Sequence, residues 1–306
     1  MSEHPVVIAV HGGAGQTRAS QMKPSLLAAY RQGLEDALQR GRGILEQGGS
    51  AIGAVVAAVT VLEDDPHFNA GTGSVLCHDG SVECSASLME GHTGRAGGVA
   101  GVRGFAHPIS VARQVLEHEH TLLFGSSAEG LARARGVPEC DPKVLITSHR
   151  RRQWEQIHLH EGTLDDFTVD DTPKGTVGAV AMDAKGHLAA ATSTGGLLNQ
   201  LPGRIGDSPV IGAGTWADQQ TGALSATGDG DILLRLAFAR RVMDLIELKQ
   251  FAPDDAIQQV LEQVAFAGGD GGCILIDPLG EVHMLHNSPN MLCGSINAVG
   301  TMHILI

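Results

Sequence analysis

Hydroxyl chemistry has its best setting where a polar stretch meets a clean apolar strand, at Gly175-Thr176-Val177-Gly178. A threonine freed at its N-terminal side carries a nucleophilic hydroxyl and an α-amine on one carbon framework. The α-amine has a pKa of roughly 7.7–8.0, far below lysine, so near neutral pH it can act as general base for its own hydroxyl without a separate histidine. The glycine before it can take backbone angles closed to other residues, which suits a peptide bond awaiting attack by the adjacent hydroxyl. Taken alone, the same residues also read as a turn followed by a β-branched strand start.

The elements that position this junction are legible in outline. Residues 6–10 are a β-branched run stopped by His11-Gly-Gly-Ala-Gly15, read as a buried strand ending in a tight glycine turn. Apolar Leu27, Tyr30, Leu34, Leu38 and Leu45 recur at helical steps over 26–45, with Gly48-Gly49 as the stop. Ser50 reads as the N-cap of a second helix that runs to Glu63-Asp64-Asp65-Pro66. Hairpins are predicted at 74–84, turning at Asp79-Gly80, at 177–192, turning at Asp183-Ala-Lys-Gly186, and at 273–285, turning at Asp277-Pro-Leu-Gly280. Helices are predicted at 110–136, 232–248 and 254–266. Antiparallel hairpins apolar on both faces need helical cover on both sides, which predicts an α+β architecture of sheets between helical layers. Periodicity fails over 141–174, and the second half of that stretch reads as an exposed linker.

Composition narrows the chemistry. The chain has 306 residues and is 42% hydrophobic, ample for a packed core, while 34 acidic against 21 basic side chains give a formal charge of −13. Such a field opposes binding to nucleic acid or anionic membrane. Aromatics are only 3% and glycines number 41, which favours chemistry built on backbone turns and hydroxyls over stacking surfaces. Five cysteines without a C-x-x-C pair fit a reducing compartment, and the apolar run at 6–10 is too short for a signal-peptide core or a membrane span, so a cytoplasmic location is expected.

The chain resembles the plant-type asparaginase and isoaspartyl-peptidase family of N-terminal nucleophile hydrolases. The resemblance is carried by His11-Gly-Gly-Ala-Gly15, Leu62-Glu-Asp-Asp-Pro-His-Phe-Asn-Ala-Gly-Thr-Gly73, Gly175-Thr-Val-Gly-Ala-Val-Ala-Met-Asp-Ala-Lys-Gly186, Ala189-Ala-Ala-Thr-Ser-Thr-Gly-Gly196, Leu201-Pro-Gly-Arg-Ile-Gly-Asp-Ser-Pro209 and Thr227-Gly-Asp-Gly230. It implies the four-layer αββα fold of that class, and self-cleavage between Gly175 and Thr176. The products would be an α subunit, 1–175, with an exposed linker over about 152–175, and a β subunit, 176–306, which stay together as one folded domain. It implies hydrolysis of L-asparagine to L-aspartate and ammonia, and cleavage of N-terminal β-aspartyl dipeptides.

Residue by residue, the resemblance makes Thr176 the nucleophile and places Thr194 beside it, with Thr227 and Gly228 as oxyanion donors. It places the substrate clamp on Arg204 and Asp207, where a guanidinium takes a carboxylate in two parallel bonds and a carboxylate takes an ammonium. As a bare pair, Arg204 and Asp207 also read as a loop salt bridge, and 227–230 as a turn before a helix. Gly230 would let the backbone approach the ligand, and Asn69 would lie close to the nucleophile. The resemblance further implies a structural sodium ion on the main-chain carbonyls of Leu62, Glu63, Asp65, Phe68, Ala70 and Thr72, no cofactor for the chemistry itself, and a dimer of αβ heterodimers. Asp229 and Asp231 make the Thr227 loop more acidic than many relatives. The arginines 150–152 and the pairs His118/His120 and His158/His160 are read as solvated or linker residues.

Other readings remain. Strand, glycine loop and helix at 6–45 suggest a dinucleotide fold, but Gly12-Gly-Ala-Gly15 lacks the G-x-G-x-x-G spacing and no second βα unit follows. Glycosylasparaginase or threonine endopeptidase activity on the same scaffold is the alternative within the class. Lys174-Gly175-Thr176 is more similar to the asparaginase branch than to the Asp-Thr junction of the glycosyl branch.

Overall fold

Alternation along the strands sorts their side chains between two apolar environments. A computed structural model describes residues 4–159 and 175–306. In the hairpin of β5 (Val177–Met182) and β6 (Leu188–Thr194), Val177, Ala179, Ala181, Ala189 and Ala191 pack beneath helices α1 (Pro24–Glu46), α2 (Ala51–Asp64) and α3 (Pro108–Leu116). Val180, Met182, Leu188 and Ala190 face the other way, toward a second sheet, together with Val7 and Ala9 of β1 (Val7–Gly15). Each fully buried Val, Leu or Met contributes about 1.5–3 kcal/mol, so a one-residue slip in register, which would exchange the two faces, is strongly disfavoured.

The larger sheet has the order β12 (Met302–Leu305), β11 (Asn290–Ile296), β1, β5, β6, β2 (Cys84–Glu90), β3 (Ala96–Val102), β4 (Leu122–Phe124), antiparallel except for β3 with β4. The smaller has the order β10 (Val282–His286), β9 (Gly271–Ile276), β8 (Gly222–Gly228), β7 (Thr215–Asp218), and α7 (Phe238–Lys249) and α8 (Pro253–Phe266) cover its outer face. These are the layers expected of an αββα sandwich. The β5–β6 turn also fixes a helix: Asp183 Oδ1 accepts from Lys185 and His187 N–H at 3.0 Å each, while Oδ2 accepts from Ala51 N–H at 3.1 Å, at the start of α2. Ser50 caps the same helix, accepting from Gly53 N–H at 3.3 Å.

Five local expectations are corrected. The glycines at 12–15 do not end β1. The strand runs through them with a bulge between His11 and Gly13, and Gly13 takes φ +114° where a Cβ would lie 2.3 Å from Gly175 Cα. Residues 74–83 form a turn without a strand ladder, because their backbone bonds go elsewhere, Val75 N–H to Asn69 Oδ1 and His78 N–H to Gln200 O. The helix predicted over 110–136 is two, α3 and α4 (Gly125–Ala134), with β4 between them adding to β3. That over 232–248 divides into α6 (Gly230–Leu236) and α7 at Ala237, which adopts left-handed φ 49°.

The fifth correction concerns α5 (Ser148–Leu159), which occupies a stretch read as aperiodic and overlaps the start of the expected linker. Arg150 on it is not a solvated residue. It is 2% exposed, and its Nε donates to Gly73 O at 2.6 Å, with burial lowering its pKa to about 10. The rest of the expected linker, 160–174, with His160 and Lys174, lies outside the described residues, as does the side chain of His158. Among the described residues no helix is long and apolar enough to cross a membrane.

Candidate active site

At one end of the sandwich the inter-sheet faces change from apolar to polar. Continuing the alternation of Val180 places Gly178 and Thr176 on this side, and that of Ala190 places Thr192 and Thr194 there. From the smaller sheet, Ser225 and Thr227 follow Ala223. The result is a narrow cleft lined by Gly175, Thr176, Thr194, Arg204, Asp207, Ser208, Gly228 and Gly230 among others. Thr176 is 8% exposed and enters from the start of β5. Thr194 lies at the end of β6, while the loop after it supplies Arg204, Asp207 and Ser208.

The Thr176 Oγ1 lies within hydrogen-bonding distance of the Ser208 hydroxyl, at 3.3 Å. Sequence reasoning gave Ser208 no role, although it stands inside the 201–209 landmark. Thr194 lines the cleft as expected, but its Oγ1 accepts from Gly196 N–H at 3.0 Å, an interaction that shapes the turn following the strand. Thr227 is fully buried, and its Oγ1 accepts from Ala14 N–H at 3.1 Å, which leaves its own proton free to donate elsewhere. Gly228 beside it lines the cleft at φ +144°, where a Cβ would meet Asp270 O and Gly271 Cα at 2.4 Å each. Asn69 acts from behind: its Nδ2 donates to Gly196 O at 2.8 Å and its Oδ1 accepts from Val75 N–H at 2.9 Å, pinning the turn that follows Thr194.

Arg204 and Asp207 share the cleft without forming the loop salt bridge. Arg204 Nη2 donates to the exposed Asp231 carboxylate at 2.8 Å, a pairing that sequence reasoning missed. Asp207 is 3% exposed, and burial pushes its pKa up to about 7 although the nearby guanidinium lowers it. Asp207 Oδ2 and Arg204 Nε are both buried with no hydrogen-bond partner. Gly230 separates the two side chains, since a Cβ there would lie 2.8 Å from Asp207 Oδ1 and 2.9 Å from Arg204 Nη2. A carboxylate and a guanidinium with open valences in one small cleft suit a ligand carrying both an ammonium and a carboxylate.

Within residues 62–72 the Glu63 carbonyl accepts from Thr72 N–H at 2.8 Å and that of Asp65 from Phe68 N–H at 3.2 Å. Pro66 has no N–H, so the Leu62 carbonyl at the end of α2 lacks its usual helical partner four residues on. A Cβ on Gly71 would meet the Ala106 and Glu63 carbonyls at 2.3 and 2.5 Å, and one on Gly73 those of Pro66 and Phe68 at 2.5 and 2.7 Å. Of these four oxygens, those of Glu63 and Phe68 belong to the expected ligand set, and carbonyl oxygens are the ligand type a hard cation takes. The Glu63 side chain points away from the cleft, accepting from Ser193 Oγ at 2.6 Å and Ile109 N–H at 2.9 Å, and burial pushes its pKa up to about 8 from 4.5.

For Glu63, as for Asp207, the folded protein keeps a proton that the unfolded chain releases at lower pH. The resulting stability is full below the unfolded pKa and is lost as pH rises toward the folded one. Between about pH 5 and pH 8 the melting temperature of the wild type is therefore expected to fall more than that of Glu63→Gln, whose amide has no proton to lose. Parallel calorimetric curves for the two proteins would contradict this.

An N-terminal-nucleophile sandwich with a threonine at the mouth of its inter-sheet cleft defines a class of hydrolases, and the family model described as asparaginase matches residues 4–306. The chain belongs to the asparaginase family. It is 41% identical over 295 residues to an isoaspartyl peptidase from Salmonella typhimurium, covering 93% of each chain. It is 42% identical over 279 residues to an isoaspartyl peptidase/L-asparaginase from Rattus norvegicus, covering 90% of this chain and 81% of the relative. A plant-type L-asparaginase from Pyrococcus furiosus is 42% identical over 301 residues, with 94% of both chains covered.

Proposed function

We propose that the chain cuts itself between Gly175 and Thr176 and then hydrolyses the side-chain amide of L-asparagine and the isopeptide bond of N-terminal β-aspartyl dipeptides. The observation that carries this reading is the pairing, in one cleft, of the buried Thr176 hydroxyl with the open valences of Arg204 and Asp207. Arg204 takes the α-carboxylate and Asp207 the α-ammonium of the aspartyl moiety, which aims its side-chain carbonyl at Thr176. Thr176 Oγ attacks that carbon while the α-amine takes the hydroxyl proton, and Thr227 Oγ1 and Gly228 N–H stabilise the developing oxyanion. The proton passes to the departing ammonia or amine, leaving a β-aspartyl ester on Thr176. Water, deprotonated by the same amine, hydrolyses the ester and restores the enzyme.

Self-cleavage uses the same hydroxyl against the Gly175 carbonyl. In the larger sheet β1 pairs with β11 and β5, and β6 pairs with β2, so strands from the two sides of residue 176 interleave. Fragments 1–175 and 176–306 accordingly stay bound through those ladders. The carbonyls of Leu62, Glu63, Asp65, Phe68, Ala70 and Thr72 would hold a sodium ion that stiffens the loop carrying Asn69 and takes no part in the chemistry. Two cut units form the working dimer, and five free cysteines fit a cytoplasmic location.

The purified protein is expected to release ammonia from asparagine and leucine from β-Asp-Leu, and to sediment as a pair of cut units. Inertness toward both substrates would retire the proposed activity, and a fully active single unit would retire the dimer.

A further inference from the structure

His11 is fully buried on the inter-sheet face of β1, and its Nδ1 lies 3.0 Å from the main-chain carbonyl of Thr176. A carbonyl only accepts, so Nδ1 carries the proton, and a neutral ring must then accept at Nε2. Burial keeps the ring neutral by lowering its pKa to about 3. The Nε2 partner is Ser225 Oγ at 2.8 Å. Beyond it the contacts continue from Ser225 to Thr192 at 2.7 Å, from Thr192 to Thr215, and from Thr215 to Ser87 at 2.8 Å. Ser87 Oγ also reaches Ser208 O at 2.6 Å, the residue whose own hydroxyl lies beside the Thr176 Oγ1. Ser87 has a single proton and the Ser208 carbonyl can only accept, so the continuous file runs from the Thr176 carbonyl through His11, Ser225 and Thr192 to Thr215.

Register explains how this assembles. Gly178 pairs with His11 on one side and with Thr192 on the other, and Thr215 pairs with Ser225. Space for the ring exists because residue 178 has no side chain: a Cβ there would lie 2.0 Å from Ser225 Oγ and 2.4 Å from His11 Nε2. Since Ser225 donates to the ring, Thr192 donates to Ser225 and Thr215 to Thr192, so each hydroxyl polarises the next toward the imidazole. Buried polar side chains in an otherwise apolar layer are tolerated only when fully partnered, and this file is partnered throughout.

We propose that His11 is a positioning residue for Thr176, holding its main-chain carbonyl through Nδ1 and held in turn by the inter-sheet file of hydroxyls. The proposal rests on Thr176 being the nucleophile. Once the bond before it is cut, Thr176 is tethered covalently on one side only. Fixing its carbonyl stops rotation about the Cα–C bond, and so sets where the α-amine and Oγ stand relative to the substrate.

The test compares His11→Phe, which keeps the bulk and removes the donor, with His11→Asn, whose amide N–H sits near the Nδ1 position. Rates are taken per mole of cut enzyme. His11→Phe is expected to lower kcat about ten- to hundredfold with KM for asparagine unchanged, because the clamp is untouched, and His11→Asn is expected to recover most of the loss. Nitrogen NMR of the wild-type ring should show the proton on Nδ1 from about pH 5 to pH 8. If His11→Phe does not fold, Ser225→Ala takes its place, with a severalfold lower kcat, an unchanged KM and a displaced Nε2 resonance expected. Wild-type kcat in the Phe or Ser225→Ala variant, an Asn variant no better than Phe, or a proton found on Nε2 overturns the proposal. A Thr176→Ala chain that still hydrolyses asparagine would instead retire the nucleophile reading. Inert Thr176→Ala beside fully active His11→Phe retires the role of His11 alone.

Discussion

Thr176→Ala is expected to remain one uncut polypeptide and to lose hydrolysis of asparagine by on the order of a thousandfold or more, the usual consequence of removing a covalent nucleophile. The fold should survive. Among the described residues the hydroxyl makes one hydrogen bond, 3.3 Å from Ser208 Oγ, and one neutral hydrogen bond is worth about 0.5–1.5 kcal/mol net, so the melting temperature should move by only a few degrees. Gly175 remains packed against Gly13 in the uncut chain, so the variant also keeps the closed junction. Calorimetry and an ammonia-release assay on the same preparation separate loss of chemistry from loss of fold. A folded Thr176→Ala with substantial turnover would mean that another group attacks the amide.

Arg204→Ala should produce the second largest effect. A charge-assisted hydrogen bond contributes about 1.5–3 kcal/mol, so losing the two-pronged contact should cost about tenfold to a few hundredfold in kcat/KM. Arg204→Lys should also suffer, because an ammonium offers one point charge in place of a planar fork. In the free protein the fork is held by the exposed Asp231, which the substrate carboxylate must replace. The same clamp predicts that β-Asp-Leu is cut and α-linked Asp-Leu is not, since the α-linked isomer has consumed its α-carboxylate in the peptide bond. Asp207→Asn should weaken recognition of the α-ammonium while leaving self-cleavage intact, because the uncut junction presents no such group. With the Asp207 carboxyl pushed up to about 7, the free enzyme carries the charged form only above that value, so kcat/KM for asparagine should rise through neutral pH. Equal turnover of the two dipeptides, or an indifferent Arg204→Ala, would show that the clamp lies elsewhere.

The 177–192 hairpin and the helices beneath it were legible because their signals are local: β-branched runs, a four-residue turn at Asp183, and a serine cap at Ser50. Thr176, Arg204, Asp207 and Gly228, recognised from a resemblance distributed along the chain, meet in one cleft. What escaped depends on pairing between distant strands. Nothing near His11 announces Thr176 O or Ser225 Oγ, because the register of β1 against β5 and the approach of the two sheets decide that meeting. Hydroxyls two apart, Thr192 with Thr194 and Ser225 with Thr227, were the available hint, since strands place such residues on one face. The glycines of 12–15 read as a turn for want of the partner strand that keeps them extended, and Arg150 read as solvated because no local pattern reveals that Gly73 O awaits it.

Intact mass together with N-terminal sequencing of the purified protein tests the central claim most directly. Two fragments are expected, 1–175 and 176–306, the second beginning at Thr176, that elute together from a sizing column and hydrolyse asparagine. A single chain of 306 residues that hydrolyses asparagine at full rate after prolonged incubation would contradict it.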